Sequence, residues 1–175
     1  VDKGGSINTK LASPRVREGD HGVEYVIAWA DESKHGKDIV ITNVDIDNLL
    51  RAKAAIYAGF TVLAANVGVP LVTVDQILIG GSFGKYINVE KAVEIGLLPD
   101  IAWDRFQFLG NTSVRGAYLA LIDHTLRRRI TEIAARMTYI ELSADNTFYD
   151  AFMSALFLPH TDMSLFPTIA AALES

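Results

Sequence analysis

The segment Gln76-Ile-Leu-Ile-Gly-Gly-Ser-Phe-Gly-Lys-Tyr-Ile-Asn88 constrains this chain more than any other. Three apolar residues run directly into Gly80, Gly81 and Ser82, so a buried strand is expected to end in a loop whose backbone an incoming group can approach closely. A long amphipathic helix is expected before it, from Thr42 to Gly68, with Thr42 as N-cap and Asp45 as the acidic half of a capping box. Its inward face is read as Ile46, Leu49, Leu50, Lys53, Ile56, Phe60, Leu63, Ala64 and Val67, which recur every three or four residues. Helix, strand, glycine loop and helix in that order suit an α/β layer.

A chain of 175 residues with 50% hydrophobic content can bury a core as one domain or two small lobes. Its formal net charge of −5 offers no bulk attraction for nucleic acid or an anionic membrane, so no partner of either kind is expected. Any phosphate must then be held by local dipoles. The absence of cysteine excludes disulfides, a thiolate nucleophile and cysteine-ligated clusters from these residues, and it is consistent with the cytoplasm. No apolar run is long enough to span a bilayer, and Val1-Asp-Lys-Gly-Gly-Ser lacks the apolar centre of a secretion signal. With valine at position 1, the chain is expected to be part of a longer protein.

Residues 1–22 read as a linker or loop, because glycines, Pro14 and charges leave little apolar periodicity. A hairpin is expected from Val23–Trp29 and Asp38–Ile41 around the turn at Gly36. Beyond the glycine loop, Asn88 is placed to cap a short helix, Val89–Ile95, which Gly96 closes. Phe106–Leu109 reads as a second strand. It enters a polar loop, Gly110-Asn-Thr-Ser113, before helical spacing begins at Gly116 and runs to Ile122. Thr125–Met137 and Thr147–Phe157 read as further helices, and Tyr139–Leu142 as a strand.

The glycine loop is the candidate ligand site. Gly80 and Gly81 leave room for a purine or ribose, and amides at a helix start just after them would face an anion; a plain structural turn explains the same residues. Asp45, Asp47 and Asn48 lack the spacing of a calcium loop, and His21, His35, His124 and His160 stand without carboxylate partners at ligand spacing, so no metal site is assigned. Arg127–Arg129 fan around a helix and read as a solvated face. Ser82, Ser113 and Ser143 have no visible base, and no catalytic residue is assigned.

Taken together, Lys53-Ala-Ala-Ile56, Ile79–Asn88, Ile95-Gly-Leu-Leu-Pro99, Leu109-Gly-Asn111 and Tyr139–Ser143 resemble the C-terminal region of ATP-dependent reductive activators of corrinoid proteins. The resemblance implies that residues 23–175 are the C-terminal half of an actin-like ATPase domain of the sugar kinase and heat-shock chaperone superfamily, a mixed sheet packed with helices. It further implies an ATP–Mg cofactor and an iron–sulfur cluster confined to an N-terminal ferredoxin-like domain. The corrinoid protein is the implied partner, returned from Co(II) to the methyl-accepting Co(I) state. By the same resemblance Gly80, Gly81, Ser82, Lys53, Gly110 and Asn111 are the cofactor-binding residues. Thr112–Arg115, where the family carries small residues, is a departure. The phosphate loops belong upstream of Val1, so these residues alone are not expected to hydrolyse ATP. Two alternatives stand beside this reading: an interaction or homodimer module working through the apolar segment Phe148–Leu173, and a kinase of the same superfamily.

Overall fold

The structure is a computed structural model describing residues 1–82, 84–144 and 146–174, without the side chain of Lys85. Three strands, β1 (Val16–Gly19), β2 (Gly22–Ala28) and β3 (Ile39–Thr42), form an antiparallel sheet in the order β1-β2-β3. The expected hairpin is therefore present as β2 and β3. β1 corrects the reading of residues 1–22 as linker, and so does Ile7, which is buried beside Ile46 and Leu50. The strand is hidden in the sequence because its sides are charged. Arg17 on β1 reaches the Glu24 carboxylate on β2 at 2.7 Å and Asp38 at 2.7 Å, so a cross-strand ion pair stands where apolar alternation would be looked for.

Helix α1 (Asn43–Asn66) starts as its sequence dictates: Thr42 Oγ1 accepts from the Asp45 amide, and the Asp45 carboxylate accepts from the Thr42 amide at 2.8 Å. The Thr42 amide and the Thr42 hydroxyl, both donating to the carboxylate, hold the Asp45 carboxyl below its usual range. The buried stripe is Ile46, Leu50, Lys53, Ala54, Tyr57, Ala58 and Val62. It is rotated from the face read from periodicity: Ala54, Tyr57, Ala58 and Val62 are buried while Leu49, Ile56, Leu63 and Val67 are exposed, because this helix is apolar on more than one side and its packing neighbours decide which side is covered.

The second sheet pairs β4 (Ile77–Gly80) with β5 (Phe106–Gly110) in parallel, from Ile77 opposite Phe106 to Gly80 opposite Gly110. Between them lie a 3₁₀ turn at Gly84–Tyr86 and the six-residue helix α2 (Val89–Glu94), capped by Asn88 as expected. Helix α3 (Thr112–Ile122) begins four residues before the expected start at Gly116, so Thr112–Arg115 form its first turn, under an Asn111 cap. Helix α4 (His124–Ala134) follows, capped by Asp123. Neither α3 nor α4 contains a buried residue.

Tyr139–Leu142 is not a strand. The Glu141 carboxylate accepts from the Tyr139 hydroxyl and from the Ser143 amide and hydroxyl, which curls the segment into a 3₁₀ turn at Leu142–Ala144. Helix α5 (Asn146–Ala155) then packs along α1, and α6 (Pro167–Glu174), absent from the sequence reading, is tied at its start by Asp100, which accepts from the Thr168 amide and hydroxyl.

The main core joins Ala54 and Tyr57 of α1, Ile77 and Phe106 of the parallel sheet, Ala92, Val93 and Leu98 around α2, and Ala155 and Phe166 of the C-terminal segment. Much of the apolar content of Phe148–Leu173 thus closes the core. Among the described residues no helix is long and apolar enough to cross a membrane.

Candidate functional site: a glycine corner at the parallel strand ends

β4 and β5 run in the same direction, so both chains leave the sheet at the same edge, the edge where open α/β sheets take their ligands. A register shift between Ile79 and Gly80 pulls the last pair out of the regular ladder. The Gly81 amide then donates to the Gly110 carbonyl at 2.7 Å, and the Gly84 amide donates back to the Gly81 carbonyl at 3.2 Å. The two loops are thereby stitched into one corner.

The backbone here needs glycine. Gly81 has φ +115° and Gly110 φ +67°, and a Cβ built on either meets no atom of the described residues within 4 Å. The space beside both residues is open. Gly80 differs: a Cβ there would lie 2.8 Å from Thr112 Oγ1, so its bareness lets α3 come close. Asn111 caps α3 by accepting from the Val114 amide at 3.0 Å, and its amide nitrogen lies 3.4 Å from Ser82 Oγ. The positive end of an eleven-residue helix therefore stands next to an open, exposed Ser82 hydroxyl.

Five of the six residues named from sequence, Gly80, Gly81, Ser82, Gly110 and Asn111, meet in this corner. Lys53 does not join them through any hydrogen bond. Its side chain is wholly buried, and its ammonium donates to the Phe157 carbonyl and, at 2.7 Å, to the Pro159 carbonyl. Burial pushes its pKa down to about 8. Beside it the His160 ring lies 5.4 Å from Tyr57, and burial followed by the Lys53 charge holds its pKa low. Tyr57 is pushed up to about 12 by burial, with Asp162 and Asp100 adding to the rise. Thr112 is the corner residue that sequence reasoning left out, and the Gly-Asn-Thr order, a glycine followed by a cap residue, was the signal for it.

An apolar groove of about 510 Å³ lies elsewhere, lined by Tyr57, Thr61, Pro70, Ile101, Leu165 and Pro167 among others, and it includes no corner residue. Among the described residues no three His, Asp or Glu side chains converge on a metal position.

Parallel strands ending in a bare glycine corner beside a helix N-terminus are the arrangement of an actin-like α/β unit. The chain belongs to the family described as the C-terminal domain of RACo, the ASKHA domain, whose family model matches residues 1–170. A solved structure of a reductive activator for corrinoid, iron–sulfur protein superimposes with a TM-score of 0.89 at 50% identity, over 96% of this chain and 27% of that one. The corrinoid activation enzyme RamQ of Eubacterium limosum is 38% identical over 129 residues, 74% of this chain and 22% of that protein. The [Co(II) methylated amine-specific corrinoid protein] reductase of Methanosarcina barkeri is 27% identical over 123 residues, 69% of this chain and 23% of that protein. The chain thus spans between 22% and 27% of the length of these three proteins.

Proposed function

We propose that this chain is the nucleotide-facing C-terminal part of an ATP-dependent activator that supports reduction of a Co(II) corrinoid protein to Co(I) in methyl transfer. The observation that carries the reading is the unfilled space beside Gly81 and Gly110, at the edge of a parallel sheet and next to the N-terminus of α3. Adenosine fits that chemistry. The bare backbone admits a flat base or ribose, while Ser82 and Asn111 offer hydrogen bonds to ribose hydroxyls or ring nitrogens. Magnesium enters with the nucleotide's phosphates, whose protein contacts belong to the phosphate loops expected upstream of Val1. Iron–sulfur chemistry belongs to the N-terminal domain of the same longer protein. The corrinoid protein is the partner, in the cytoplasm.

Titrating the chain with adenosine and with ATP–Mg, followed residue by residue by NMR, tests the reading. Signals of residues 80–82 and 110–111 should shift together, and Gly81→Leu, which fills the open space, should weaken binding at least about tenfold. Binding that leaves these signals unmoved, or that survives Gly81→Leu unchanged, removes the proposal. An interaction role finds its observation in α3 and α4, where Val114, Tyr118, Leu121, Ile122, Ile130 and Ile133 are all exposed.

A further inference from the structure

The buried ammonium of Lys53 has no carboxylate to neutralise it among the described residues, and both of its hydrogen bonds go to backbone carbonyls of one short segment, Phe157 and Pro159. A buried lysine satisfied only by carbonyls is costly to keep, so the position it fixes is the place to look for a function.

That segment is gripped from several sides. The Leu158 amide donates to the Lys3 carbonyl at 2.9 Å, the Thr161 amide donates to the Ser154 carbonyl, and the Asp162 amide donates to His160 Nδ1. His160 lies in a ring cluster with Tyr57 of α1 and Phe166. On the remaining side is Gly96, the residue that ends α2: a Cβ there would come within 2.1 Å of the Pro159 carbonyl oxygen, the same oxygen that Lys53 holds. One carbonyl is therefore touched by α1 through Lys53 and by the end of α2 through Gly96. α2 begins just after its cap Asn88, a few residues after the glycine corner, and its Ala92 and Val93 sit in the core with Ala54 and Tyr57.

We infer that Lys53 is a positioning residue for the glycine corner: by anchoring the Pro159 carbonyl against Gly96 it fixes the end of α2, and through α2 the loop that carries Gly80, Gly81 and Ser82. Its importance to the site rests on the nucleotide reading proposed above, but the mechanical link does not. The side chain named from sequence as a cofactor contact acts through the backbone it holds, and the nucleotide never touches it.

Amide hydrogen exchange on the full 175-residue chain, without nucleotide, separates this role from a merely stabilising one. Lys53→Met keeps the stem and removes the donors. Exchange at residues 80–82, 87–98 and 157–162 should quicken at least about tenfold, while β1 and β2, the control, keep their protection. Gly96→Ala displaces the same carbonyl from the opposite side and should loosen the same residues with Lys53 intact, which keeps the inference testable if Lys53→Met does not fold. Exchange that rises by one factor everywhere, or that changes at 157–162 and leaves 80–82 at wild-type rates, overturns it. Because no nucleotide is present, failure here leaves the adenosine reading standing, and failure of the adenosine titration leaves this one standing.

Discussion

Gly81 and Gly96 both adopt a left-handed backbone, at φ +115° and +75°, and both follow a regular element, yet their surroundings are opposite. Beside Gly81 no atom of the described residues lies within 4 Å of a built Cβ; beside Gly96 the Pro159 carbonyl already occupies that place. One glycine borders open space and the other lets the chain touch itself. Glycine in a sequence announces close approach without saying what approaches, and only the neighbours tell a binding residue from a packing one.

Substitution sharpens the contrast. Gly96→Ala suffers both an unfavourable φ and a backbone clash, so chemical denaturation should show a loss of about 3 kcal/mol. A loss near that of an ordinary surface change would mean the α2 end can move away from Pro159, and the distinction between the two glycines would dissolve.

The Lys53 hub also sets a pH profile. With a folded pKa of about 8 against 10.5 for the free side chain, the unfolded chain binds more protons between those values, so stability rises with pH from about 8. The gain is on the order of 2 kcal/mol, since the two carbonyls favour the cation and offset part of its burial. Tyr57, pushed up to about 12, works the other way above pH 10, where its unfolded form ionises first. His160, held low, costs stability as pH falls through about 6.5, where the unfolded imidazole takes a proton that the folded one resists. Urea midpoints across pH 5 to 10 should therefore climb on the alkaline side in wild type and stay flat there in Lys53→Met. Parallel curves for the two proteins would contradict the assignment.

Gly81→Ala meets no atom of the described residues, so its backbone strain sets the expected loss, about 1.5 kcal/mol by denaturation, roughly half the Gly96 effect. Equal losses at the two positions would show the corner to be more crowded than its open space implies. Smallest is Asn111→Ala, which removes the α3 cap for about 1 kcal/mol, with the loss confined to α3 and α4 when helicity is followed locally.

The corner was legible because its signals are local. An apolar run entering Gly80-Gly81 and a glycine followed by Asn111 are patterns of adjacent residues, and each does in the structure what its chemistry dictates. Thr42 and Asp45 were legible for the same reason. β1 was not, since the ion pair of Arg17 with Glu24 takes the place of apolar alternation. Tyr139–Leu142 carried β-forming residues, but a strand needs a partner, and Glu141 supplied a local turn instead. The role of Lys53 was least readable: its acceptors lie 104 and 106 positions further along the chain, and no spacing rule connects a lysine to carbonyls at that distance.

The helical pair α3 and α4 has no side chain shut away from water, so it stands on end caps and on the arginine of position 127, which donates to the Ala120 and Leu121 carbonyls. Such an element frays at a small fraction of the cost of opening the core. Its first residue follows Asn111, so one wall of the glycine corner belongs to a helical pair without buried side chains, while the floor beneath it is the paired ends of β4 and β5.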